Sequence, residues 1–257
     1  MLKNGIPTGN IERSPMLLEL VLGSLLFSSE SSRVAEGYER PCGGRPAVYF
    51  QLLDAPLVQS ELNLTAEQQA AIAGLHDDYA RRSIAARQKA AAVERDIPLM
   101  MQARSRLQLE FYDLDQSARG PLEAALSDAQ EARLTQIFRQ LLGPELFKHE
   151  NYLAPLRLSA TQSAAADTTL AEYGYKMERA TGARRQESLG NSDPDRQREI
   201  NATFARRQRD FEDAALAMIL SSLDDAQRSA LNELYGKQLD RHELRRQIRA
   251  AAQARSR

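Results

Sequence analysis

Four times in this chain a leucine is followed by a helix-capping residue and, three places after the cap, by a glutamine. The fullest copy is Leu62-Asn63-Leu64-Thr65-Ala66-Glu67-Gln68, and a variant returns as Leu156-Arg157-Leu158-Ser159-Ala160-Thr161-Gln162. Leu126-Ser127-Asp128-Ala129-Gln130 and Leu223-Asp224-Asp225-Ala226-Gln227 are shorter copies. Each cap oxygen (Thr65, Ser127, Ser159, Asp224) can accept a bond from an orphan N–H of the first helical turn. The glutamine can reach back to the cap residue's own N–H. Each copy therefore predicts a helix start, with a cap worth about 1 kcal/mol over alanine. The residue after each glutamine is Gln69, Glu131, Ser163 or Arg228. None is apolar, so the leucine before the cap lacks a local staple partner and must pack on a distant part of the chain.

The copies recur in register. Leu64 and Leu158 are 94 residues apart, and Leu126 and Leu223 are 97 apart. Pro98 follows Thr65 by 33 residues, and Pro194 follows Ser159 by 35. Leu52 and Leu53 precede Leu64 as Leu146 and Phe147 precede Leu158. This order predicts an internal duplication. One asymmetry is Gly120-Pro121, expected to break or kink its helix, which has no counterpart in the second copy.

Between the motifs, apolar residues step by helical intervals. Ile72, Leu75, Tyr79, Ala86, Ala90, Val93 and Ile97 share one face, then Met100, Leu107, Phe111, Leu114 and Ala118, then Leu134, Ile137, Phe138 and Leu141 up to Gly143-Pro144. The second copy offers Ala166, Leu170, Tyr173, Met177 and Ala180. Asp193 should cap the next helix with Pro194 in its first turn; Ile200, Phe204, Phe211, Ala215, Met218 and Ile219 follow. Leu231, Leu234, Tyr235, Leu239 and Ile248 predict one final helix from Asp224. Strong helix formers dominate, tryptophan is absent and β-branched runs are scarce. The expected fold is all-α, with two similar helical-hairpin units forming an elongated or cradle-like bundle. Residues 46–144 form the first unit and 145–257 the second, which ends in a basic C-terminal helix.

Residues 1–45 read differently. The apolar run 16–27 follows Lys3 and Arg13 and has the length of a signal-peptide core, too short to span a bilayer. Glu19 interrupts it and no clean small-x-small cleavage site follows. Residues 28–45 read as a disordered linker. Cys42, the only cysteine, excludes an intrachain disulfide, and the Glu39-Arg40-Pro41 before it is unsuited to a lipid-acceptor site.

At the four motifs the chain resembles the LTxxQ family of Spy- and CpxP-like periplasmic proteins. Leu64-Thr65-Ala66-Glu67-Gln68 matches the family motif in full; the copies at Ser159 and Ser127 match with serine for threonine, and the copy at Asp224 departs at the cap. The family carries two such motifs per protomer around a long helical hairpin, so each half of this chain resembles one protomer over roughly residues 50–245. Family members are all-helical. Spy is a cradle-shaped antiparallel dimer whose basic, apolar-patched concave face binds unfolding proteins without ATP, and CpxP inhibits an envelope-stress sensor kinase. The resemblance implies a pseudo-dimeric cradle in one polypeptide, a location in the periplasm or cell envelope, and unfolded clients or a membrane sensor as partners. A homodimer is compatible with it.

The residues suggest no catalysis. His76, His149 and His242 each neighbour an acid but lack metal-ligand spacing, and read as surface histidines. No phosphate loop or nucleophile elbow occurs, and the carboxylates read as solvated helix faces. A net charge of −1 gives no global case for nucleic acid. The stretch from Lys237 to Arg257 has seven basic and two acidic residues. It reads as a helix end complementing its dipole or as a contact for acidic partners. Arg184-Arg185 and Arg206-Arg207, with Tyr173, Tyr175, Phe204 and Phe211, could offer a mixed basic and apolar surface, but core burial of those aromatics is the favoured expectation. The expectation is a non-enzymatic, cofactor-free envelope chaperone or stress-responsive binding protein, with no metal. The alternatives are a regulator docking on a membrane sensor and a cytoplasmic helical scaffold.

Overall fold

A computed structural model describes residues 46–91 and 97–255. The apolar run 16–27, Cys42 and Val93 lie outside them, as do the side chains of Ile97 and Met100. The described chain is all-α: α1 (Pro46–Leu53), α2 (Pro56–Glu61), α3 (Ala66–Ala91), α4 (Ile97–Ala124), α5 (Asp128–Leu142), a 3-10 segment (Gly143–Lys148), α6 (Glu150–Leu153), a 3-10 turn (Ala154–Leu156), α7 (Ala160–Ser188), α8 (Pro194–Ser221), α9 (Asp225–Tyr235) and α10 (Arg241–Arg255). No described helix is long and apolar enough to cross a membrane.

Two long hairpins dominate, α3 against α4 and α7 against α8. At 1.5 Å per residue each arm is about 40 Å long. The remaining helices form a base. Its core joins Phe50, Leu52, Leu53 and Val58 of the first helices to Leu134 and Ile137 of α5, Leu146, Leu231 of α9, and Leu244 and Ile248 of α10. The roots of both hairpins enter it through Ile72, Leu122, Ala166, Leu170 and Ile219. One contiguous core thus spans the sequence boundary at 144/145. Farther out on the second hairpin lies a separate small cluster of Tyr173, Met177 and Ala215, flanked by Phe204 and Phe211.

Local structure repeats with the register of the sequence. Asn63 and Arg157, 94 residues apart, are the two described non-glycine residues with positive φ, at 49° and 47°. Ile72, Tyr79, Ser83 and Ala86 are buried on α3, and their counterparts Ala166, Tyr173, Met177 and Ala180 are buried on α7. With the later register of 97, Leu122 matches Ile219, Leu134 matches Leu231, and Phe138 matches Tyr235, all buried.

Two expectations about helix ends need correction. Gly120-Pro121 does not break α4, which runs through to Ala124. Both residues are exposed, the proline sits in the final turn, and Pro121 O still accepts from Ala125 N. Proline there removes only one exposed bond. Conversely, the single helix expected from Asp224 is two. α9 stops at Gly236, whose φ is 60°, and a Cβ there would meet the Gln136 amide at 2.2–2.8 Å. The carbonyls of Tyr235 and Lys237 accept bonds from Gln140 Nε2 at 2.6 and 2.8 Å, and Lys237 O also accepts from Arg133 at 2.6 Å. Asp240 restarts the chain as α10 by accepting from the N–H groups of His242 and Glu243; those two bonds hold its carboxyl below the usual range.

Candidate functional site

All four motifs start helices with reciprocal capping bonds. Thr65 accepts from Gln68 N at 3.2 Å while its own N–H donates to Gln68 Oε1 at 3.1 Å. The same exchange joins Ser127 to Gln130, Ser159 to Gln162 and Asp224 to Gln227. The leucines find their distant partners in the base: Leu64 and Leu223 are buried in its core, and Leu126 and Leu158 pack against it half-buried.

The motifs also meet in pairs at the foot of each hairpin. Gln68 Nε2 donates to Gln130 Oε1 at 2.8 Å, and Gln130 Nε2 returns a bond to Gln68 Oε1 at 3.1 Å. Their amides also donate across, Gln68 to Ala125 O and Gln130 to Leu62 O, each at 3.0 Å. In the second hairpin Gln162 and Gln227 exchange bonds of 2.8 and 3.0 Å, and Gln162 Nε2 reaches Ser222 O at 2.8 Å. Each glutamine thus closes its own helix start and joins its partner, and Gln68, Gln130 and Gln162 also clamp the loop ahead of that partner. A glutamine carries both donors and an acceptor in one planar group, which this double duty needs.

Sequence reasoning missed a second repeated pair. Tyr79 and Tyr173 stand fourteen residues after their caps, and Asp115 and Glu212 eleven before Leu126 and Leu223. Tyr79 donates to Asp115 Oδ1 at 2.7 Å, and Tyr173 to Glu212 Oε1 at 3.4 Å, each bond crossing its hairpin. Equal offsets from the motifs were the available signal. Glu212 is only 1% exposed, which corrects the reading of the carboxylates as solvated. Its carboxylate also accepts from Gln208 Nε2 at 3.0 Å and pairs with Arg245 of α10. Burial first, then the neighbouring Glu212 charge, pushes the Tyr173 phenol far above its ordinary range.

The histidines also differ from expectation. His76 is not a free surface residue: its side chain is 13% exposed, its ring stacks on Phe50 at 5.1 Å, and Nδ1 lies 2.9 Å from Asp54 Oδ2. Arg255 donates to both Asp54 oxygens at 2.7 Å and pairs with Asp77. Burial alone would raise the Asp54 pKa, but His76 and Arg255 together outweigh it and hold the carboxyl below its usual value. His149 is exposed beside Tyr152, and His242 lies half-buried 3.5 Å from Asp213. No group of three potential metal ligands occurs among the described residues.

Much of the basic stretch from Lys237 onward is engaged within the fold. Lys237 pairs with Glu61, Arg241 with Asp213, Arg245 with Glu212 and Arg246 with Glu243. A half-open cleft of about 240 Å³ is lined by Gln140, Leu216, Tyr235, Gln238, Leu239, Arg241 and His242. Gln140 and Arg241 there already serve the bonds described.

The hairpins present a different surface. Ile84, Leu109, Tyr112, Tyr175, Leu189 and Met218 are the exposed large apolar residues among those described, and all stand on the two hairpins. Tyr175 therefore escapes the burial expected of it, whereas Tyr173 is buried and Phe204 and Phe211 are half-buried. Guanidinium groups lie over hairpin rings, Arg87 over Phe111, Arg179 over Tyr175 and Arg184 over Phe204, at 4.9–5.8 Å. Comparison with known proteins identifies no matching family model, no matching curated protein and no matching solved structure.

Proposed function

We propose that this chain is a non-enzymatic binding protein that holds unfolded or misfolded polypeptides without ATP, with its hairpins as the binding arms. The observation that carries the reading is the placement of the exposed apolar side chains on the arms, with Arg179 lying over one of them, Tyr175. Exposed apolar side chains favour contact with apolar segments of a partner, and guanidinium groups add attraction for acidic ones. Location in the cell envelope and a role in stress response rest on the LTxxQ resemblance and the apolar run 16–27. Cell fractionation with N-terminal sequencing of the mature protein tests that part.

The full chain at several-fold molar excess should slow aggregation of a chemically denatured client with no nucleotide present. A variant carrying Leu109→Ser, Tyr175→Ser and Leu189→Ser should lose most of this suppression while keeping its midpoint of thermal unfolding. Absence of suppression by the parent chain sinks the proposal, as does full suppression by the variant.

A further inference from the structure

The two hairpins are built alike, yet they are held differently. In the first, the Tyr79–Asp115 bond spans α3 and α4 at a part-buried level. In the second, the matching carboxylate, Glu212, is enclosed and receives Arg245 from α10. Arg245 also donates to Leu141 O, a C-terminal carbonyl of α5, at 2.8 Å. One helical turn earlier, Arg241 binds Asp213 of α8 at 2.6 Å. Both guanidinium groups pass over Gly143, where a Cβ would lie 2.8 Å from Arg241 Nη1 and 3.9 Å from Arg245 Nη2. A side chain there would obstruct both the positive φ of 57° and the approach of Arg241.

This knot sits above the root of the second hairpin, at the level of the separate Tyr173–Met177–Ala215 cluster, whose Tyr173 shares Glu212. Apolar contacts slide with little directional preference. A buried, hydrogen-bonded ion pair does not, because removing one partner strands the other charge. At the first hairpin α10 places Arg255 on Asp54, beside His76 of α3, and on the exposed Asp77.

We infer that α10 is a lock on the second hairpin, fixing its angle to the base through Arg245–Glu212 and Arg241–Asp213. The inference goes beyond the binding reading and holds whatever the arms bind. It is tested on the full chain in a Cys42→Ser background by pulsed electron–electron distance measurement. Spin labels at Glu187→Cys and Ala132→Cys report the second hairpin against the base, and labels at Gln88→Cys and Ala132→Cys report the first. The locked protein should give one narrow distance for the second hairpin. Glu212→Gln and Arg241→Gln should each at least double its width and leave the first hairpin's distribution unchanged. An unchanged second-hairpin width in folded Arg241→Gln overturns the lock, and so does equal broadening of both hairpins. If Glu212→Gln loses its helical circular dichroism, Arg241→Gln alone decides.

Discussion

At the scale of single residues, the motif glutamines do more than cap. The capping half of their role is readable in sequence because it lies within three residues. The reciprocal amide exchange is not, because Gln68 and Gln130 are brought together only when the hairpin closes. Gln68→Ala should cost about 1–3 kcal/mol in urea unfolding, since it removes the acceptor of the Thr65 N–H and the donor to Ala125 O and Gln130. A double-mutant cycle of Gln68→Ala with Gln130→Ala should show non-additivity of about 0.5 kcal/mol or more, with the same behaviour for Gln162 and Gln227.

Asp54 supplies a second residue-scale prediction. Its folded pKa is depressed, so the stability it contributes is complete above the unfolded value of about 4 and is lost as pH falls through the lower folded value. Urea unfolding from pH 7 to 2 should show a steep acid decline in the wild type. Asp54→Asn should be less stable at pH 7 and show a shallower decline. An identical acid slope in both would remove Asp54 from the account.

At the scale of elements, periodicity located the helices but not every interruption. Leu239 and Ile248 continue the apolar stripe of α9, so the break at Gly236 is hidden from pattern alone. What ends α9 is tertiary: Gln136 occupies the space of a Cβ, and Arg133 and Gln140 take up the loop carbonyls. Gly120-Pro121 shows the opposite case, two breaker residues at an exposed last turn where a helix tolerates them. Gly236→Ala should destabilise by about 1–3 kcal/mol, through its backbone strain and the displaced amide. Gly120→Ala, with open space around its Cβ position, should be neutral or stabilising by up to about 1 kcal/mol. Thermal unfolding of the two variants side by side measures this contrast.

At the scale of the whole molecule, burial is uneven. The base holds the contiguous core, and the outer second hairpin holds only a small cluster. Native-state hydrogen exchange should therefore be slowest in α5, α9 and the roots of the long helices. The outer turns of α7 and α8 should exchange through local opening at a free energy well below the global value. Uniform protection along α7 would contradict this division. The all-α class and the paired hairpins follow from helix formers, caps and the repeated register. The merging of both halves in one base does not, because it depends on α10 reaching back to α1 and α2.

That last contact carries a topological consequence. α1 and α10 lie against each other although some two hundred residues separate them along the chain. The backbone thus returns in α10 to the helix that opens the described residues, and the turn at residues 190–193 lies in the connection between α7 and α8, away from that closure. A circular permutant that links residue 255 to residue 46 by a short flexible peptide and begins at Ser192 would keep every base contact described. It would turn the second hairpin into two separately ending helices gripped at their roots.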